Sequence, residues 1–393
     1  MTTVGVNLLW CLPGEVGGSE EYITRALAAV PSVAPDLELV LFVLPGFADA
    51  HPDLADHHEL IVAPVSGRRR SVRVVVERTW LPRRARQRGL AAIHHAGGTA
   101  PGTGGIPIVL SMHDIQYVSL PDNFSALKRL WLRHAVPVGL RRAGVVTVPS
   151  AFVRSSLTAA YGPDVQPVVV VPHGVPANFG RREAIDDEAL RRRYTVPGPF
   201  VLYPAATYPH KNHEVLLDAM ALLPPSSELK LVLIGGTGRA EAAVLEAIDG
   251  HGLWPRVVRT GRVPDANRDS LLHLADALVF PSHYEGFGAP VAEAFAAGIP
   301  VLASDATALP EVVGDAGLLL SPDDAAAWAA AMQRIESEPV LRASLVAAGR
   351  RRAGQLSAAG SAAALVAAYR LALAGPDDDA PRAADRTGKE AAP

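Results

Sequence analysis

The sequence predicts an α/β protein made of two parallel-sheet domains that face each other across a cleft. Three observations support this fold class. The chain has 393 residues, 49% of them hydrophobic, which is more than one ordinary core holds. Short apolar runs alternate with helical patterns through both halves of the chain, as in parallel sheets. The segment 279–310 shows the unit clearly, with a strand end, a glycine turn, a helix from Pro290 and a new strand at Val301.

The predicted domains follow from this alternation. Residues 1–178 form the first domain, and a connecting segment with a short helix, 179–198, leads to the second domain at 199–358. We expect the alanine-rich helix 359–374 to pack back on the first domain, and the polar tail 375–393 to be disordered. The strands are expected at 4–10, 38–44, 59–65, 91–95, 107–112, 145–149, 168–172, 200–205, 230–236, 257–261, 279–281 and 301–303.

Composition argues against several classes of function. The formal net charge of −3 argues against general nucleic-acid binding. The single cysteine, Cys11, excludes an internal disulfide and fits a reducing compartment such as the cytoplasm. The first ten residues read as a strand and not as a signal peptide, and no apolar run is long enough to span a membrane.

Two glycines, Gly17 and Gly18, separate the first strand from a helical pattern. Glycines in such a turn let the backbone approach a ligand closely, and Ser19 is the expected helix cap. The turn is not GxGxxG, so it does not support a dinucleotide-binding fingerprint. A tight first turn of any α/β domain is the alternative interpretation.

His113 stands at the carboxyl end of the predicted strand 107–112. Parallel sheets bind their ligands at that edge, so His113 is a candidate site residue. Asp114 beside it is placed to orient the imidazole ring. A purely structural histidine bonded to a neighbouring carbonyl is the alternative.

A lysine and two carboxylates mark the second domain. Lys211 opens a helix, where a cation works against the helix dipole unless an anion lies in front of it, so it is a candidate phosphate ligand. Glu285 and Glu293 bracket the glycine turn before the helix that begins near Pro290. Carboxylates at an anion site suit the hydroxyls of a sugar or a ribose, which donate hydrogen bonds to them. The pattern predicts a nucleotide-sugar site.

Two basic segments stand out in the first domain, Arg68–Arg88 and Lys128–Arg142. The first carries nine arginines against one acid, and the second interleaves its cations with leucines and a tryptophan. A solvated charged face is the ordinary interpretation of such runs. An anionic membrane surface or a phosphate-bearing lipid acceptor is the alternative.

Taken together, the motifs closely resemble the retaining, nucleotide-sugar-dependent glycosyltransferases of family four, and among these the mannosyltransferases. Those enzymes have the GT-B fold of two Rossmann-like domains. The resemblance extends to about Leu373. It rests on EGFGAPVAE at 285–293 with the preceding FPS, GIPVLASDATALPEVVGDAGLLLSPDD at 298–324, GGSE at 17–20, HD at 113–114, VPS at 148–150 and PHKN at 209–212.

The resemblance implies a role for each candidate catalytic residue. Glu285 would lie near the donor sugar and the positive charge that develops at its anomeric carbon. Lys211 would neutralise the diphosphate. His113 would contact the sugar near the acceptor.

The resemblance also implies a donor site. Glu293 would bind the ribose hydroxyls. Many relatives carry an arginine where this chain has Ala205, so either Arg262 replaces it or the set of cations is smaller. The remaining implied contacts are backbone amides, together with two glycines that leave room for the phosphates and the acceptor: Gly286, Phe287, Gly288, Gly17 and Gly18.

The resemblance therefore implies transfer of a hexose, with retained α-configuration, by a front-face path and without a metal or another cofactor. The sequence offers no Asp-x-Asp motif or His/Cys cluster with ligand spacing in a plausible loop. GDP-mannose is the first choice of donor, while UDP-glucose, UDP-N-acetylglucosamine and dTDP-rhamnose stay open. The expected acceptor is a lipid-linked or growing glycan at the inner membrane face. A non-catalytic nucleotide-sugar-binding homologue and a sugar-nucleotide epimerase are the alternatives.

Overall fold

The computed structural model describes residues 1–12, 17–163, 165, 167–177, 179, 186–196 and 198–375, and it contains two parallel sheets. In the first lobe, seven strands of the described chain pair in the order β3-β2-β1-β4-β5-β6-β7. They are β1 Thr2–Asn7, β2 Leu37–Val43, β3 Glu59–Val62, β4 Ala92–His95, β5 Ile108–Ser111, β6 Val145–Val148 and β7 Val168–Val170. The predicted α/β fold class is confirmed.

The second lobe has a sheet of six described strands in the order β10-β9-β8-β11-β12-β13, again all parallel. They are β8 Phe200–Pro204, β9 Lys230–Ile234, β10 Val257–Gly261, β11 Ala277–Phe280, β12 Val301–Ser304 and β13 Leu318–Leu320. The strand β13 was not predicted. It has only three residues, none of them fully buried, and it lies at the edge of the sheet, so its run of leucines is too short to indicate a strand from sequence alone.

Helices cover the faces of both sheets, as parallel strands require. Those of the first lobe are α1 Gly18–Val33, α2 Phe47–Ala50, α3 Pro52–His57, α4 Arg70–Gln87, α5 Gln116–Ser119, α6 Ala126–Arg142 and α7 Ala151–Tyr161. The remaining helices are α8 Asp187–Tyr194, α9 His213–Leu222, α10 Glu241–Gly250, α11 Asp265–Leu274, α12 Ala289–Ala297, α13 Leu309–Val313, α14 Ala325–Ser337, α15 Pro339–Gln355 and α16 Ala358–Ala374.

The last helix, α16, belongs to the core of the first lobe. Leu365 and Tyr369 are buried in the same apolar cluster as Val4 of β1. His94 fixes the contact, because its Nδ1 lies 2.8 Å from the Tyr369 hydroxyl and its Nε2 lies 2.7 Å from the Ser111 hydroxyl. The chain therefore returns to its first lobe after it completes the second.

The two crossings between the lobes run side by side. Val175 donates its N–H to Leu356 O at 2.8 Å, and Ala358 donates to Val175 O at 2.9 Å. Gly174 packs so closely that a Cβ there would lie 2.5 Å from the Ala358 Cα. Of the expected linker, α8 is described and buries Leu190 in the second core, while residues 180–185 and 376–393, which include most of the expected disordered tail, lie outside the described residues.

Candidate active site

The two lobes meet where strands of both sheets end. His113 follows β5, and the turn that contains Gly286 follows β11. A Cβ on Gly286 would lie 2.3 Å from His113 O, and Ser150 donates its hydroxyl to Gly286 O at 2.7 Å. The glycine turn of the second lobe therefore rests directly on the backbone of the first.

Lys211 and Glu285 form an ion pair at this junction. The Lys211 Nζ lies 2.6 Å from Glu285 Oε1, and both side chains are largely buried. The Glu285 amide donates to the Thr307 hydroxyl at 3.0 Å, which fixes the loop around it. The structure thus brings together two of the three residues predicted to be catalytic, and the Gly286 contact brings the third, His113, to the same gap.

Glu293 is buried within α12 and is bound by the other lobe. Its Oε1 accepts from Arg25 Nη1 of α1 at 2.7 Å. Arg25 also pairs with Glu21 at 2.7 Å, and Arg268 of α11 pairs with the second oxygen of Glu21 at 2.7 Å. Burial raises the pKa of Glu293, and the charge on Arg25 opposes that rise. Arg268 also pairs with Asp269 at 2.9 Å and with Asp265 at 3.5 Å. The predicted ribose-binding carboxylate is therefore held in an interlobe network of acids and two arginines.

Sequence reasoning missed this network. The local signals were two pairs of opposite charges on single helices, Glu21–Arg25 four residues apart and Asp265–Arg268 three residues apart. Nothing in the sequence indicated that Arg25 faces Glu293, because that contact depends on how the two lobes dock.

His113 makes the carbonyl bond that was the alternative interpretation. Its Nε2 lies 2.8 Å from Ala96 O, and burial lowers the pKa of its imidazole. Asp114 does not orient the ring, so that expectation was wrong: its Oδ1 accepts from Gln116 N at 2.8 Å, closing a tight turn. Because Nε2 must carry the proton that bonds the carbonyl, Nδ1 is left as an acceptor with no partner among the described atoms. It can accept a hydrogen bond from a sugar hydroxyl.

A stack of rings crosses the cleft beside His113. His173 lies between Tyr22 of the first lobe, at 4.1 Å, and Phe287 of the second, at 4.7 Å. Burial holds the pKa of His173 well below its usual value, and neither ring nitrogen has a partner among the described residues. In the sequence His173 merely follows the predicted strand 168–172, so this polar side chain without a described partner was missed.

The N-terminal glycines are not packed against any other described residue. Gly17 has φ 78°, a backbone conformation that favours glycine, and a Cβ on Gly17 or Gly18 would meet no atom of the described residues within 4 Å. The expected capping role of Ser19 was wrong. Helix α1 begins at Gly18 with Gly17 as its N-cap, and no side chain caps it.

Arg262 and Ala205 lie against successive residues of one glycine turn. A Cβ on Gly235 would lie 2.3 Å from Ala205 O, and a Cβ on Gly236 would lie 3.1 Å from Arg262 Nε. Arg262 therefore lies close to the position where relatives were expected to carry an arginine. Its role in binding phosphate stays a prediction.

A cavity of about 450 Å³ opens on the first-lobe side of the junction. His113 and Asp114 form part of its lining, together with Trp10, whose buried indole nitrogen has no partner among the described residues. A volume of this order accommodates one small ligand or sugar. The cavity therefore lies beside the junction where the Gly286 turn contacts His113.

Two further features were searched for along the described chain. It contains no group of three or more His, Cys, Asp or Glu side chains that could hold a metal ion. It also contains no helix that is long and apolar enough to cross a membrane.

Comparison with known proteins identifies the chain. Residues 16–179 match the model for Glycosyltransferase Family 4, and residues 186–352 match the model for Glycosyl transferases group 1. The chain is a family-four glycosyltransferase. The predicted resemblance is therefore confirmed.

Curated relatives of this glycosyltransferase include O-antigen enzymes. It is 28% identical to O-antigen chain mannosyltransferase B of Escherichia coli over 67% of this chain and 70% of that protein. It is 27% identical to O-antigen chain mannosyltransferase RfbU of Salmonella typhimurium over 58% of this chain and 61% of that protein.

A solved structure supports the two-lobed GT-B arrangement. Anabaena Alr3699/HepE, in complex with UDP and glucose, superposes with a TM-score of 0.73 at 22% identity, covering 94% of this chain and 100% of that one. At this identity the likeness concerns the fold alone.

Proposed function

We propose that this glycosyltransferase transfers mannose from GDP-mannose to a hydroxyl of a lipid-linked or growing glycan, with the α-configuration retained. The observation that carries the proposal is the junction itself. The Gly286 turn rests on the backbone of His113 and directly follows Glu285, the partner of Lys211, so a cation, a carboxylate and an imidazole meet at one junction. The names of the E. coli and Salmonella relatives support mannose as the sugar.

The chemistry needs stabilisation of two opposite charges. As the bond to the diphosphate breaks, the leaving group becomes more negative and the anomeric carbon more positive. Lys211 and the N-terminus of α12 would meet the first charge, and the Glu285 carboxylate the second. Arg262 adds a second cation near the diphosphate. These groups supply the neutralisation that would otherwise fall to a metal ion, and so support a metal-independent reaction.

Retention by a front-face path is supported by the environment of Asp114, a second carboxylate at the junction. Asp114 lies at the same junction, but burial raises its pKa and its Oδ1 is already engaged by the Gln116 amide. A carboxyl that is tied into a backbone turn in this way is poorly placed to attack the anomeric carbon. In the front-face path the leaving phosphate oxygen takes the acceptor proton on the face from which the diphosphate departs.

The proposal is tested in three steps. A thermal-shift screen of the four candidate nucleotide sugars should show the largest stabilisation with GDP-mannose. NMR of the product should show the α-anomer, and a β-product would rule out retention. Lys211→Ala and Glu285→Ala should each lower turnover by roughly 100-fold or more. Lys230→Ala and Glu246→Ala are the matched controls, because they remove the same side chains at the start of β9 and in α10. Both variants should stay near the wild-type rate.

A non-catalytic nucleotide-sugar-binding protein is the second candidate, favoured by Ala205 in place of an arginine. Tight binding of a donor without turnover on any acceptor would support it. The epimerase alternative predicts a rearranged sugar nucleotide in the absence of acceptor, which the same product analysis detects.

The basic helices α4 and α6 support peripheral attachment at the inner face of the membrane. They expose Val75 at 58%, Leu127 at 79% and Leu130 at 68% among their arginines and lysine. Apolar and cationic side chains together favour an anionic bilayer. If the protein fails to sediment with anionic liposomes at low salt, this part of the proposal is wrong.

A further inference from the structure

The turn Pro121–Asn123 of the first lobe lies against two loops of the second. Arg239 Nη2 donates to Asn123 Oδ1 at 3.2 Å, and Arg239 Nη1 donates to Asp122 O at 3.0 Å. On the other side of the same amide, Asn123 Nδ2 lies 3.3 Å from His210 Nδ1. Both ends of one side chain are thus engaged by the opposite lobe. We call the contacts of Asn123 with Arg239 and His210 the Asn123 bracket.

The chemistry of the two partners fixes the direction of each bond in the bracket. A guanidinium can only donate, so the amide oxygen of Asn123 faces Arg239 and the amide nitrogen faces His210. His210 Nδ1 must then be an acceptor, with the ring proton on Nε2. Burial lowers the pKa of His210 to about 4, and the charge on Lys211 adds to this shift. The imidazole is therefore neutral at pH 7, and the bracket is complete there.

The two loops that Asn123 contacts are joined to each other within the second lobe. Gly238 N donates to Thr207 Oγ1 at 2.7 Å, and Ala240 N donates to Thr207 O at 2.8 Å. A Cβ on Gly238 would lie 2.3 Å from Thr207 O, so the two backbones are in direct contact. The loop that carries Arg239 and the loop that leads to His210 consequently form one unit.

His210 connects this unit to the candidate donor site. It lies in the turn Pro209–Lys211, directly before Lys211. The His283 amide donates to His210 O at 2.8 Å, two residues before Glu285. Lys211 and Glu285 pair at 2.6 Å. The bracket therefore holds the backbone from which the candidate diphosphate ligand and its carboxylate partner project.

The first-lobe end of the bracket is anchored by Phe124, the residue after Asn123. Its ring packs against an apolar cluster of the first lobe and lies edge-on to Tyr117, with the ring centres 6.5 Å apart. Phe124 and Tyr117 also line the cavity beside the junction, together with Arg70 of α4 and Lys128 of α6. Asn123 thus links the wall of that cavity to the loops of the second lobe.

We propose that Asn123 is a positioning residue for the donor site. Its amide holds the turn Pro209–Lys211 in place from the opposite lobe, so that Lys211 is ordered before the diphosphate binds. Groups that are ordered in advance lose less conformational entropy on binding, and the ligand binds more tightly. The inference rests on the proposed role of Lys211 in binding the diphosphate, and it identifies a first-lobe residue that acts through Lys211.

The test measures GDP binding to the full chain by calorimetry in single and double variants. Lys211→Ala should weaken GDP binding by about tenfold or more, and Asn123→Ala by about fivefold. In the Lys211→Ala background, Asn123→Ala should weaken it by less than about twofold, because the group that Asn123 positions is already absent. Asn267→Ala is the matched control: this amide donates to the Tyr194 hydroxyl at 2.8 Å and has no part in the bracket, so GDP binding should not change.

Arg239→Gln opens the bracket from its other partner. Arg239 is exposed, so this variant should fold normally. It should also weaken GDP binding by about fivefold. The double variant Asn123→Ala/Arg239→Gln should bind GDP no more weakly than either single variant, because both changes break the same contact.

Each contrary result has a distinct meaning. Additive losses from Asn123→Ala and Lys211→Ala would show that Asn123 acts independently of Lys211, and would overturn the inference alone. Unchanged GDP binding in Asn123→Ala, or an equal loss in Asn267→Ala, would overturn it as well. A wild-type chain that binds no GDP, or a Lys211→Ala variant that binds it normally, would refute the proposed donor site and the inference with it.

Discussion

The contact between Gly286 and His113 can be used to test how closely the two lobes must approach for turnover. A Cβ added at Gly286 would lie 2.3 Å from the His113 carbonyl oxygen. Carbon and oxygen normally approach to about 3.3 Å, so the Gly286→Ala variant must open the junction by about 1 Å. The obstacle is backbone on both sides, which cannot rotate away as a side chain would.

A displacement of this size acts on the reaction more than on folding. Gly286 lies in a half-buried turn outside the helices and strands, so the unfolding temperature should change little. The Glu285 carboxylate and the Gly286 amide would move away from the acceptor side, and a misplacement of about 1 Å costs about 100-fold in rate where geometry is tight. Initial rates of glycosyl transfer measure the loss.

Gly250→Ala is the matched control for this experiment. Gly250 ends helix α10, and a Cβ there meets nothing within 4 Å. This variant should keep the wild-type rate and gain stability slightly, because alanine favours helix more than glycine does. A Gly286→Ala enzyme with the wild-type rate would show that the junction gives way freely and that the close approach has no part in turnover.

Three further predictions concern charge. Arg25→Gln should tighten GDP binding roughly fivefold in calorimetry, because Arg25 would no longer compete with the ribose for Glu293. The control Arg370→Gln removes an arginine from an exposed ion pair and should leave GDP binding unchanged. Weaker GDP binding in Arg25→Gln would contradict the proposed competition. Burial lowers the pKa of His94 from 6.5 to about 3, so its stabilising contribution is complete above pH 6.5 and is lost as pH falls toward 3. Urea unfolding of the wild type should therefore lose about 2 kcal/mol more between pH 7 and pH 5 than that of His94→Gln, and equal losses would contradict this. The Glu311 carboxylate of the second lobe accepts hydrogen bonds from the first two amides of α7 in the first lobe. Glu311→Gln should weaken this contact by roughly 0.5–1 kcal/mol and increase the radius of gyration in solution scattering. An unchanged radius would mean that the contact does not hold the lobes together.

The sheets were predictable because strands buried on both faces read as continuous apolar runs. Val145–Val148 is fully buried, and its position was predicted to within one residue. The meeting of Lys211 and Glu285 could be anticipated too, since both follow strands of one parallel sheet and such strands end at a common edge.

What could not be predicted depends on contacts between distant segments. The bond from Arg25 to Glu293 joins residues 268 positions apart, and no local pattern encodes it. The orientation of His113 is set by Ala96, whose carbonyl position follows from the end of β4. The cavity between α4 and α6 was equally hidden, because each helix showed only a run of basic residues whose relative placement the sequence does not give.

The return of α16 to the first lobe has a consequence for how this protein emerges from the ribosome. The sheet that is made first lacks a wall of its core until the residues around Tyr369 have been synthesised. At typical elongation rates of about 5–20 residues per second, that delay lasts roughly ten to forty seconds. During this interval the nascent sheet exposes the apolar surface that Leu365 and Tyr369 later cover. We expect chaperones to bind this exposed surface.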